Sequence, residues 1–232
     1  MNTPPEWLTK VGPSIEGVLP DWFAEFQPPE RPRRSSAVLI LMAGHESGIV
    51  GGGGAGAFGE GVDVVLTERS HHLRSHAAQV SFPGGHIDPT DAGPVEAALR
   101  EANEEVGLRP NTVDIVDKLP ALYMHPRQNA VTPVIGWWRE PHPIGVVDHG
   151  EVAQVARVPV ADLVNPANRF TVTGPRGYRG PGFWAGDMFV WGFTAKLLDA
   201  VFDLGGIAQP WDQDVVQPLP EVQIGMFRDG RA

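Results

Sequence analysis

Apolar residues fall in short runs punctuated by glycine and proline. Ala37-Val-Leu-Ile-Leu-Met42 has no polar break, which predicts a strand buried on both faces. Val62 to Thr67 reads as its partner strand. Val113–Leu122, Val131–Trp138 and Val152–Val158 predict further strands separated by proline and glycine. Between these runs the period changes. Val95, Ala98, Leu99, Ala102 and Val106 share one stripe at helical spacing, so residues 93–107 predict an amphipathic helix. Pro94 suits its first turn, Asp91 is placed to cap it from just outside, and Gly107 suits its end. Pro159 to Leu163 suggests a short helix. Residues 187–204 predict a second amphipathic helix, with Leu197, Val201 and Leu204 on one stripe and Gly205-Gly206 as its stop. From Gln209 the chain is Pro-rich and reads as irregular. No internal repeat is visible.

A chain of 232 residues with 42% hydrophobic and 20% charged residues suits one generous globular domain, and 28 glycines with 23 prolines predict long, punctuated loops. The stretch 48–61, GIVGGGGAGAFGEG, could cradle phosphate, but no Lys-Ser or Lys-Thr follows as in a P-loop. Its composition favours a flexible hairpin loop. The net charge of −10 argues against a nucleic-acid polymer as partner, because a duplex binder needs a basic footprint. The absence of cysteine excludes disulfides, thiolate zinc sites and cysteine nucleophiles. With no apolar run of about 18 residues and no basic-then-apolar leader, the expectation is no membrane contact and a cytoplasmic enzyme.

The candidate chemistry lies on the 93–107 helix. Glu101, Glu104 and Glu105 stand at i, i+3 and i+4 and share an arc of roughly 100°. Carboxylates that close repel one another unless cations sit between them. Such hard oxygen donors suit Mg²⁺ or Mn²⁺, and the Gly84-Gly85 turn would let backbone carbonyls approach the same ions. Taken alone, Glu-Ala-Asn-Glu-Glu reads first as the solvated face of a surface helix, because charged faces are common. The residues around it decide otherwise.

Gly85, Arg100-Glu101, Glu104-Glu105 and Gly107-Leu108 resemble the Nudix box: Gly, five residues, Glu, seven residues, then Arg-Glu-apolar-x-Glu-Glu-x-Gly-apolar. Asp91 stands where the first Glu is usual, a position that is usually structural in the family, and eight residues separate it from Arg100. The resemblance implies an α/β fold, an α/β/α sandwich around a mixed β-sheet. It also implies roles. Glu104 and Glu105 would ligate metal, Glu101 would ligate metal or act as general base, Arg100 would orient the glutamates by ion pairing, and the Gly85 carbonyl would complete the metal shell.

Upstream, Val65-Leu66-Thr67, Arg69-Ser70, Arg74 and Phe82-Pro83-Gly84-Gly85 are similar to the signature of the coenzyme A pyrophosphatase branch, with Ala78 in place of an expected Gly. The Asp-Pro-Thr-Asp insertion in the box is also a habit of that branch. Segments at Ala130–Gly136, Gly150–Ala153, Gly177-Tyr178 and Trp191–Ala195 extend the likeness over residues 37–212. That leaves a Pro-rich N-terminal arm, 1–36, whose Trp7, Leu8, Trp22 and Phe23 could pack on the body, and a C-terminal tail, 213–232. The resemblance implies a small nucleotide substrate like coenzyme A, cut to 3′,5′-ADP and 4′-phosphopantetheine.

Arg69 and Arg74 would supply permanent cations for its phosphates, with Gly84 and Gly85 beside them. The same arginines could instead pair with surface acids. His71, His72 and His76 read as loop or core histidines, Glu151 as a candidate further ligand from a distant loop, and Trp137, Trp138 and Trp191 as core. Rival readings are another diphosphate such as ADP-ribose, NADH or a dNTP, or a silent nucleotide-binding regulator. The intact Arg-Glu and Glu-Glu pairs count against the last. The aromatic stretch 183–193 could serve a homodimer.

Overall fold

The computed structural model describes residues 3–12, 20–44, 61–70, 78–125, 128–221 and 223–224. Residues 48–60, His71, His72, Arg74 and His76, singled out in the sequence, lie outside the described residues. The centre of the molecule is strand β1, Arg34–Gly44. Its apolar run is buried on both faces, because Leu39, Leu41 and Ala43 point one way and Ile40 and Met42 the other. Such a strand needs neighbours on both edges. It pairs antiparallel with β2, Val62–Arg69, and parallel with the long strand Asn129–Trp138.

In chain order the remaining strands of this sheet are β3 (Val80–Ser81), β4 (Gly84–His86), β5 (Val113–Lys118), β6 (Leu122–Met124), β7 (the Asn129–Trp138 strand) and β8 (Val152–Pro159). The path runs β3-β2-β1-β7-β5, with β4 on β1, β6 on β7 and β8 on β2. One parallel pair among antiparallel ones makes the sheet mixed, as expected. The expected strand 113–122 is two strands: the Leu119 N–H still reaches the Pro133 carbonyl at 2.9 Å, and the ladder breaks at Pro120, where proline has no N–H to give.

Helices among the described residues include α1 (Glu6–Thr9), α2 (Trp22–Glu25), α3 (Pro94–Val106), α4 (Val160–Val164) and α5 (Gly192–Leu204). α3 covers one face of the sheet, burying Ala97, Ala98, Ala102 and Val106 against Leu39, Leu41, Val134 and Trp138. On the other face Leu197, Leu198 and Val201 of α5 belong to the same buried cluster as Ile40, Met42, Leu66 and Trp137. This is the α/β/α arrangement. Leu8 and Phe23 of the N-terminal arm are buried in the same second cluster, with Trp7 and Trp22 against it.

The expected helix over 187–204 is a strand followed by a helix. Met188–Val190 pairs antiparallel with Phe183–Ala185, and the helix starts only at Gly192. A second sheet of four strands was not foreseen. It is β11-β10-β9-β12, formed by β9 (Arg169–Thr173), β10 (Arg179–Ala185), β11 (Met188–Val190) and β12 (Val216–Pro218). The chain after Gln209 is therefore not irregular throughout: β12 runs parallel to β9, and Leu219 is buried among Phe170, Val172, Phe189 and Trp191. Among the described residues no helix is long and apolar enough to cross a membrane.

Candidate active site

Two glycines set the geometry. β4 lies beside β1 with Gly84 opposite Val38 and Gly85 opposite Ala37. At Gly84, with φ +152°, a Cβ would stand 2.3 Å from the Ala37 carbonyl oxygen, so only glycine allows the close approach. At Gly85 the space a Cβ would take is filled by the Glu101 carboxyl, 2.4 Å away. β4 thus delivers a side-chain-free backbone against the carboxylates of α3.

α3 begins on Pro94 and ends on Gly107, whose φ of +75° is the left-handed stop expected. The expected cap by Asp91 is not made. Gly93 occupies the N-cap, and Glu96 reaches back to accept the Ala92 N–H at 2.6 Å. Asp91 instead anchors Arg100. Its two carboxylate oxygens accept from Arg100 Nε and Nη2, each at 3.0 Å, and Oδ2 also accepts the Asp88 N–H at 2.8 Å. A carboxylate fork against a guanidinium is the geometry that fixes both partners. Arg100 Nη2 donates to the His86 carbonyl at 2.9 Å, which ties α3 to β4. Its Nη1 donates to Glu101 and Glu104, each at 3.1 Å. Arg100 hydrogen bonding holds the Asp91 carboxyl below its usual range, and Asp91 in turn raises Arg100.

The three glutamates differ in environment. Glu104 is exposed. Glu101 is half-buried, and burial pushes its carboxyl up, with Glu104 and Glu151 adding like-charge repulsion against the pull of Arg100. Glu105 is buried at 5% exposure, and one of its oxygens accepts the Gly84 N–H at 3.0 Å. Burial pushes it up to about 7, opposed by the Gly84 bond and the Arg69 charge and reinforced by Glu101 and Glu151.

Arg69 ends β2, and the β2–β8 register sets it opposite Val152, beside Glu151. Its Nη2 is 3.8 Å from a Glu151 oxygen, while the Glu151 carbonyl accepts the Ser70 N–H at 2.8 Å. Of the residues singled out in the sequence, Glu101, Glu104, Glu105, Arg100, Gly84, Gly85, Arg69 and Glu151 therefore share one surface. Trp137, Trp138 and Trp191 are buried away from it. The Asp91 anchor and the deep burial of Glu105 were not anticipated. The box spacing points to the first, since Asp91 holds the place of the family's structural acid.

All side-chain donors here are hard oxygens, the chemistry that fits Mg²⁺ or Mn²⁺. Among the described residues no three acidic or histidine groups are already drawn into a ligand cage. Arg100 stands between Glu101 and Glu104, and Glu151 faces Arg69. A divalent ion would take up repulsion now relieved by those arginines.

The NUDIX domain family matches residues 53–174. The chain is 39% identical over 140 residues to the uncharacterized Nudix hydrolase NudL of Escherichia coli (strain SMS-3-5 / SECEC), covering 58% of this chain and 71% of that protein. The NudL protein of Shigella boydii serotype 4 matches at the same identity and coverage. Among solved structures, a NUDIX hydrolase from Nitrosomonas europaea aligns with a TM-score of 0.46 at 11% identity, covering 82% of each chain. A C. elegans Ap4A hydrolase binary complex aligns with a TM-score of 0.43 at 17% identity, covering 56% of this chain and 83% of that one. The fold is of the α/β class, a mixed sheet with the glutamate helix on one face. This chain belongs to the Nudix family, whose members hydrolyse nucleoside diphosphate derivatives.

Proposed function

We propose that the protein is a cytoplasmic enzyme that hydrolyses the diphosphate of coenzyme A or an acyl-coenzyme A, releasing 3′,5′-ADP and the phosphopantetheine half. The observation that carries this is the placement of Arg69 beside the buried Glu105 and the Gly84–Gly85 backbone. A permanent cation next to a carboxylate set suits a substrate with phosphates beyond those being cut. Coenzyme A has such a phosphate on its ribose. The upstream motif, including Arg74, supports the same reading.

Glu101, Glu104 and Glu105, with the Gly85 carbonyl, would hold Mg²⁺ or Mn²⁺. When bound, such an ion neutralises diphosphate oxygens and acidifies water. The chain's own residues do the rest. Arg69 draws in the anionic substrate. Arg100, fixed by Asp91 and the His86 carbonyl, keeps Glu101 and Glu104 oriented. Glu101 or Glu105, both pushed up by burial, accepts the proton of the water that attacks one phosphorus. The oxygen bridging the two phosphorus atoms then leaves with the other phosphate.

The test is a substrate panel of coenzyme A, acyl-coenzyme A, NADH, ADP-ribose and dNTPs, each with Mg²⁺ and Mn²⁺, with products resolved by chromatography. Release of 3′,5′-ADP from coenzyme A at the highest kcat/KM is the expected result. Turnover of ADP-ribose or NADH with coenzyme A ignored would overturn the substrate and leave the family intact.

A further inference from the structure

Arg69, the last residue of β2, is joined to Ala78 and Gln79 by two backbone bonds. The Arg69 N–H donates to Gln79 at 2.9 Å, and the Ala78 N–H donates to the Arg69 carbonyl at 3.1 Å. Ala78 sits at φ +57°, a left-handed conformation that a residue with a Cβ adopts only when its surroundings impose it. The surroundings come from the far end of the chain. After β12, the turn beginning at Pro220 carries Gln223 back across the molecule, where it is 3% exposed. Gln223 Nε2 donates to the Ala78 carbonyl at 3.0 Å in a buried bond between residues 145 positions apart. Its Oε1 is also buried and has no partner among the described residues. Two residues beyond Ala78, Thr194 at the start of α5 donates to the Val80 carbonyl at 2.9 Å, likewise buried. A buried amide is costly to place unless its bonds are needed.

We propose that Gln223 is a positioning residue for Arg69. By holding the Ala78 carbonyl it fixes the closure that sets the backbone of Arg69, and so the reach of that guanidinium toward a substrate phosphate. The C-terminal segment, well outside the Nudix match, is then a working part of substrate binding. The inference rests on reading Arg69 as a phosphate contact.

The test compares Gln223→Met, Gln223→Glu and Gln223→Asn with Arg69→Ala in the full chain, using coenzyme A as the probe. Gln223→Met keeps the bulk and loses the bond. It should raise KM about tenfold, the worth of one net hydrogen bond, with kcat within about twofold. Gln223→Glu, which turns a carboxylate oxygen on the Ala78 carbonyl, should raise KM further. Gln223→Asn keeps the amide and should restore part of the loss. Amide hydrogen exchange at Arg69 and Ala78 should quicken in the Met and Glu variants while exchange in α3 stays slow. Unchanged KM in those two variants, with Arg69→Ala impaired, would overturn the proposal. If Arg69→Ala leaves KM unchanged, it is the reading of Arg69 that has failed. Hydrogen exchange then judges Gln223 alone, and unchanged exchange sinks it. Should Gln223→Glu fail to fold, the Met and Asn pair carries the comparison.

Discussion

Glu105 combines a carboxylate with near-complete burial, and that combination has a sign. Its ordinary value is 4.5, and in the folded protein it is pushed up to about 7. A raised acid contributes stability that is fully present below pH 4.5 and is lost as pH rises through 7. The metal-free protein should therefore lose about 3 kcal/mol between pH 4.5 and 7, and Glu101 shifts in the same direction. Thermal unfolding across that range reads the effect, and Glu105→Gln should flatten the profile. Saturating Mg²⁺ should raise the Tm more at pH 7 than at pH 5, because it favours the ionised carboxylates. Both Glu104→Gln and Glu105→Gln should cut turnover by about a hundredfold or more while the fold persists. Near-normal activity in the pair would remove these residues from the site. Asp91 acts one step back. Asp91→Ala frees Arg100 and should cost about ten- to a hundredfold in activity, whereas Asp91→Asn keeps one acceptor and should cost less. Equal losses in the two variants would mean that the carboxylate charge, rather than the fork, matters.

At the scale of elements, β4 and α3 work as a pair, and the two glycines of β4 should respond differently to the same change. Gly84→Ala drives a Cβ into the Ala37 carbonyl and should destabilise by about 2–4 kcal/mol. Gly85→Ala meets only the end of the Glu101 side chain, which can swing away. It should spare stability and reduce kcat. Denaturant melts set beside steady-state rates would expose an assignment made the wrong way round. α3 was legible because its apolar stripe, its proline and its glycine stop agree with one another. β1, β2, β7, β8 and α4 were legible for the same reason. β9 to β12 were not. Arg179–Ala185 reads Arg-Gly-Pro-Gly-Phe-Trp-Ala, with no alternation to mark a strand, and Met188–Val190 runs straight into the helical period of α5. Tertiary pairing overrides weak local preference there. In the site, residue types and spacing exposed the glutamates. The neighbourhood of Arg69 and Glu151 depends on the β2–β8 register, which no local pattern reveals.

For the molecule as a whole, the second sheet and the C-terminal segment behave as part of one body. Ending the chain at Asp214 removes β12 and the buried Leu219 from the aromatic cluster of Phe170, Phe189 and Trp191. The loss of that one side chain alone should cost about 2–5 kcal/mol, read as a lower Tm. An unchanged melt would show the segment to be a passenger.

The parallel ladder of β1 and β7 bears on how the chain is made. Arg34 pairs with Asn129 and Met42 with Trp137, so each rung must close a loop of roughly a hundred residues before it repays the entropy. On the ribosome β1 emerges well before its partner and waits for it, with Leu39 to Ala43 offering an unbroken apolar strand in the meantime. The antiparallel match of Met42 to Val64 and Gly44 to Val62 can shield one edge sooner. The other stays open until β7 is synthesised, which makes that interval the window for aggregation and for chaperone capture.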